Sequence, residues 1–166
     1  MGKKIVLLLS ILVMVATGCA ISNTPNSKVE ELLGKYQCLD SSVVNIQTSD
    51  LATGTNLDDD LEKRYKEVIK KQYKNMSYEI KDDKIDGDSA VITTEVKVLD
   101  YKSVYEKYAN NNEDVEDYDR HVIDDLEKVH DKITYTIDFN LTRDNKGVWK
   151  LDGLTTDAQD KLLGIY

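Results

Sequence analysis

The chain has 166 residues, and its 31 acids against 22 bases leave a formal charge of −9. That excess argues against nucleic acid as a partner and against a polybasic grip on anionic lipid. A 40% hydrophobic share supplies a core and argues against wholesale disorder, and the length suits one domain.

The first stretch, MGKKIVLLLSILVMVATGC, has three parts. Lys3 and Lys4 form a basic head, Ile5 to Val15 an apolar run broken only by Ser10, and Ala16-Thr17-Gly18 a small-residue site before Cys19. This is the layout of a secretory signal. The apolar run is shorter than the roughly 20 residues a lasting span needs. Ala16-Thr17-Gly18-Cys19 resembles the lipobox of bacterial lipoproteins. The resemblance implies that Cys19 receives a diacylglyceryl group and becomes the new N-terminus. Two acyl chains then give stable attachment where one gives only a marginal one. The expected organisation is a signal peptide at 1–18, the lipidated Cys19 with a polar tether to residue 26, and one domain over 27–166. The mature chain then keeps 20 bases and 31 acids, a balance of −11. Its remaining cysteine, Cys38, has no partner for an intrachain disulfide and reads as a small surface residue.

Ser27 and Glu30 match a capping box, and Val29, Leu32, Leu33, Tyr36, Leu39 and Val43 follow at helical spacing. A loop over 47–55 precedes a second helix. Asn56 is its expected cap, Asp58, Asp59 and Asp60 favour its N-terminal dipole, and Leu57, Leu61, Tyr65, Val68 and Ile69 form its stripe. The three aspartates lack the glycine turn and ligand spacing of a calcium loop. From Met76 the period becomes two. Met76, Tyr78 and Ile80 alternate with Ser77, Glu79 and Lys81, and, across a turn containing Gly87, Ala90, Ile92, Thr94, Val96 and Val98 alternate with Val91, Thr93, Glu95 and Lys97. Lys102–Asn112 begins as a helix (Val104, Tyr105, Tyr108), and a second helical run carries Val115, Tyr118, Val122, Leu126 and Val129. Ile133, Tyr135, Ile137, Phe139 and Leu141 form the most regular strand, with Ile137 at its centre and Asp138 facing water. A turn over 143–147 returns the chain through Trp149, and a last helix starts at Thr156 or Asp157. The order predicts an α+β fold: a four-stranded antiparallel sheet with helices on one face.

Four stretches carry a wider resemblance: Val29 to Tyr36, Tyr65 to Tyr73, Tyr78 to Ala90, and Trp149-Lys150-Leu151. Together they resemble small lipoproteins of Gram-positive bacteria whose domain is similar to the nuclear transport factor 2-like or cystatin-like superfolds. The resemblance implies a curved sheet wrapped round helices. It implies no particular activity, because such folds host many functions.

For chemistry, Asp117, His121 and Asp125 stand one turn apart on a helix, but a metal site wants a third or fourth ligand at a recognisable spacing. The sequence carries no GxSxG nucleophile and no glycine-rich phosphate loop. No catalytic, metal or cofactor residue is assigned. Tyr78, Thr94, Tyr135, Phe139 and Trp149 are the inward residues that would line a pocket if the sheet encloses one. The expectation is a non-enzymatic binding or interaction module, lipid-anchored on the outer face of the cell membrane, with a protein or small-molecule partner. The alternatives are an enzyme using an acidic residue or histidine in the sheet's concavity, and a structural envelope protein.

Overall fold

The computed structural model describes residues 23–43, 58–109 and 118–166. The leader, Cys19, the first part of the tether, the 47–55 loop, Asn56, Leu57, the asparagine run at 110–112, Val115 and Asp117 lie outside them.

The first helix, α1 (Pro25–Gln37), starts two residues before the Ser27 position expected as its first cap. Thr24 is the cap. Its hydroxyl accepts from the Ser27 backbone N–H at 3.2 Å, while Ser27 Oγ accepts from the Thr24 N–H at 3.1 Å. Pro25 suits the first helical position because its missing N–H would be unpaired there anyway. Part of the expected tether is therefore helix. Helix α1 also stops at Gln37 rather than running on toward Val43. The Leu39 N–H bonds Tyr36 O and the Asp40 N–H bonds Lys35 O. This Schellman closure places Leu39 at φ 56, a conformation usually left to glycine. The Leu39 side chain packs against the core there. Cys38 sits at this turn as an exposed free thiol.

Helix α2 (Asp59–Asn75) is capped by Asp58, whose carboxylate accepts from the Leu61 N–H at 2.8 Å. Strands β1 (Ser77–Asp86) and β2 (Ser89–Leu99) follow, then α3 (Lys102–Ala109), α4 (Tyr118–Lys128), β3 (Lys132–Arg143), β4 (Trp149–Leu151) and α5 (Thr156–Leu163). The strands form one antiparallel sheet in the order β1-β2-β3-β4, as the alternation predicts. Ala90, Ile92, Thr94, Val96 and Val98 are buried along β2, and Ile137, Phe139 and Leu141 along β3. They meet Val29, Leu33, Tyr36, Ile69, Tyr73, Ala158 and Leu162 from α1, α2 and α5. Alternate residues, Asp138 among them, face water.

A second cluster joins Val68, Leu99, Tyr101, Val104, Val122 and Leu126, where α2, α3 and α4 meet. Arg64 ties α2 to α4 with bonds to Asp124 and to both Glu127 oxygens. Lys71 reaches Glu127 O in the last turn of α4 at 2.7 Å and Val129 O just beyond it at 2.8 Å. The two clusters are pinned together by Gln72, which is fully buried. Its amide donates to Leu99 O at 2.9 Å and Leu163 O at 2.5 Å, and its carbonyl accepts from the Leu99 N–H at 2.7 Å. Gly164 passes so close to Leu99 O and the Gln72 amide that a Cβ would collide with both, and it takes φ 74.

Candidate functional site

The five pocket candidates share the helix-facing side of the sheet, but the structure fills the space they would line. Thr94 is fully buried, Phe139 is 2% exposed and Trp149 6%. Tyr78 and Tyr135 are half-buried and stand on either side of Val96, their common partner in register. Thr94 sits opposite Ile137, and Phe139 opposite Ile92. Trp149 lies at the far end, opposite Arg143, whose guanidinium stacks 5.2 Å from the indole. All but Thr94 belong to the main core cluster or pack against it. The Thr94 hydroxyl is buried without a hydrogen-bond partner, as is that of Tyr73, which packs 4.8 Å from the Tyr36 ring. Burial holds the Tyr36 phenol above its usual range, and burial first, with the neighbouring Tyr36 and Tyr65 phenols, drives that of Tyr73 further up, since a phenolate here would lose its hydration.

Two small concavities are present, and of the five candidates only Tyr78 borders one of them. One is an internal space of about 10 Å³ between α2, α3, α4 and the end of α5, lined by Tyr65, Tyr101, Tyr105, Leu126 and Ile165 among others. It is at the lower limit for one water molecule. The Tyr65 and Tyr105 hydroxyls face each other at 3.5 Å, and Tyr101 donates to Val68 O at 3.0 Å. Desolvation raises all three phenols, so each is neutral at physiological pH. The other is a groove of about 230 Å³ on the sheet, bounded by Ser77, Tyr78, Glu79, Glu95, Lys97 and Thr134. Glu79 and Glu95 are cross-strand partners, and Lys81 bridges them at 2.7 and 3.0 Å. Like charges directly opposite each other are unfavourable, and the shared ammonium offsets that.

Asp117 is outside the described residues, His121 is exposed, and Asp125 is held by α3. Lys107 donates to Asp125 at 2.6 Å and the Tyr108 hydroxyl at 2.8 Å. These bonds bring the Asp125 carboxyl down to about 2. Among the described residues no group of three or more His, Cys, Asp or Glu side chains is placed to hold a metal ion.

A further arrangement, at the other end of the sheet, fixes where the chain enters the fold. The Asn23 side-chain amide donates to Gly147 O at 2.7 Å, and its carbonyl accepts from the Trp149 N–H at 3.0 Å. Asn26 reaches Asp83 on β1 at 3.2 Å. In sequence Asn23 reads as tether. Its two-sided pairing with Gly147 in the turn and Trp149 in β4 has no local signal, because the partners are more than a hundred residues away.

The class these features define is an α+β domain: a four-stranded antiparallel meander with helices on one face and a polar second face. Within the described residues no helix is long and apolar enough to cross a membrane. No protein-family model matches the chain, and no curated protein matches it. Among solved structures it is similar to a Bacillus subtilis protein described as a "putative lipoprotein (ycdA)", with 17% identity and a TM-score of 0.44. The match covers 83% of this chain and 46% of that one, so this chain spans less than half of its length.

Proposed function

We propose that the protein is a lipid-anchored interaction module on the extracytoplasmic face of the cell membrane. The observation that carries this reading is the leader: basic head, apolar run and Ala16-Thr17-Gly18 immediately before Cys19. The fold supports it from the other side. Asn23, only four residues beyond Cys19, is already bonded into the domain, so the fold lies close to the anchor. The module works through the outside of its fold rather than through an enclosed pocket. In support, the inward residues Phe139 and Trp149 belong to the main core cluster and Thr94 is fully buried.

Detergent phase separation of cell extracts tests the anchor. The wild-type chain partitions into the detergent phase, and the Cys19→Ala variant stays in the aqueous phase. Equal partitioning of the two refutes the reading.

A further inference from the structure

The end of the sheet where the chain enters the fold also carries two of its exposed apolar side chains. Ile85, beside the β1–β2 turn, is 55% exposed, and Val148, beside the β3–β4 turn, is 39% exposed. The two turns are stapled together. Arg143 donates from its backbone N–H to Asp88 O at 2.7 Å, from Nε to the Asp88 carboxylate at 2.9 Å and from Nη2 to Gly87 O at 3.1 Å. Asn23 holds Gly147 and Trp149 at the same end.

Covalent geometry then limits the distance to the lipid. Four residue steps separate Cys19 from Asn23, and at about 3.5 Å each they span at most about 14 Å. The opposite end of the sheet is much farther, since the 11 residues of β2 alone extend over about 35 Å. Charge favours the same orientation. Within the two turn regions, residues 82–88 and 143–150, Lys84, Arg143, Lys146 and Lys150 stand against five aspartates. Three of the four bases are paired within this end: Lys84 with Asp82, Arg143 with Asp88 and Lys150 with Asp144. Among the described residues 26 acids stand against 20 bases, and this end carries only one of that excess of six, so the rest lies on surfaces that an anionic bilayer repels.

We infer that the two-turn end rests on the phospholipid surface to which Cys19 ties the chain, with Ile85 and Val148 entering the headgroup region. This rests on the lipid-anchor reading. It deepens that reading by assigning the face next to the membrane. The helix cluster of α2, α3 and α4 and the start of β3 are then turned outward.

The test uses the mature lipidated chain, purified from membranes and reconstituted in phosphatidylglycerol–phosphatidylcholine vesicles. Cys38 is replaced by Ser, and a polarity-sensitive fluorophore is attached to one new cysteine: Ile85→Cys, Val148→Cys, or His130→Cys as the control at the outward end. All three positions are exposed or nearly so, and the substitutions leave the core untouched. Vesicle flotation is measured in parallel. The expected result is flotation of every variant, with fluorescence at 85 and 148 blue-shifted and quenched by lipid-borne nitroxides, and fluorescence at 130 unchanged. Flotation with 85 and 148 as unquenched as 130 overturns the orientation and leaves the anchor standing. A purified mature chain that carries no lipid, or does not float, overturns both.

Discussion

Replacing Ile137 by alanine removes three carbons from the middle of β3, where the side chain is 2% exposed and Thr94 stands opposite. At about 0.8 kcal/mol per buried carbon, the lost transfer energy is about 2.4 kcal/mol. A residual cavity of about 50 Å³ adds about 1.2 kcal/mol. The sum, about 3.6 kcal/mol, is a large part of the roughly 5–15 kcal/mol that holds a domain together. One residue on, Asp138 faces water and accepts a bond from the Thr93 hydroxyl at 2.7 Å. Its replacement by alanine is expected to change stability by about 0.5 kcal/mol. Urea unfolding of the chain lacking residues 1–19, followed by the fluorescence of the single tryptophan, separates the two. With a slope near 2 kcal/mol/M, Ile137→Ala lowers the midpoint by roughly 2 M and Asp138→Ala by a few tenths at most. Equal losses, or a larger loss for Asp138→Ala, would refute the face assignment and make Asp138 a buried carboxylate.

Three further substitutions test particular contacts. Thr94→Val removes a buried hydroxyl that has no partner, so the thermal midpoint should rise, with a gain of about 1 kcal/mol; a fall would show the hydroxyl engaged. Gln72→Leu leaves the Leu99 N–H and Leu163 O without these partners, while Leu99 O keeps the Tyr101 N–H at 3.0 Å. Urea titration should show a loss of about 3 kcal/mol or more, at about 1–3 kcal/mol for each buried group left unpaired; a change below about 1 kcal/mol contradicts the clamp. Asp125 has a folded pKa of about 2, below the unfolded carboxyl near 3.9, because Lys107 and Tyr108 bond its ionised form. Its contribution is therefore present above about pH 4 and disappears as the pH falls toward 2. Asp125→Asn should melt below wild type at pH 6 and level with it at pH 2, whereas a gap independent of pH contradicts the pairing.

The strands were legible because a period of two survives tertiary context wherever one face is buried and the other wet. Each inward residue of β2 from Ala90 to Val98, and of β3 from Ile137 to Leu141, lies where alternation places it. What alternation does not encode is whether inward side chains leave a gap. Thr94, Phe139 and Trp149 face inward as expected, yet α1, α2 and α5 fill the space. Helix ends were less legible. Ser27 has the composition of a cap, but Thr24 followed by Pro25 claims that role and uses Ser27 as the reciprocal member. Helix α1 then ends at a leucine in a glycine-like conformation, which no turn residue announces. Gln72 falls on the stripe of Tyr65, Val68 and Ile69 at helical spacing, and a polar residue there was an available signal. Asp125 shares a helical face with His121, but only the docking of α3 brings Lys107 and Tyr108 to it.

The central claim is the anchor, and mass spectrometry of the intact protein extracted from its native membrane tests it most directly. The account predicts a chain beginning at Cys19 with the added mass of a diacylglyceryl group on its sulfur, released by thioether-cleaving chemistry as a lipid. A membrane-extracted chain that retains residues 1–18, or one cleaved elsewhere with an unmodified Cys19 thiol, would contradict it.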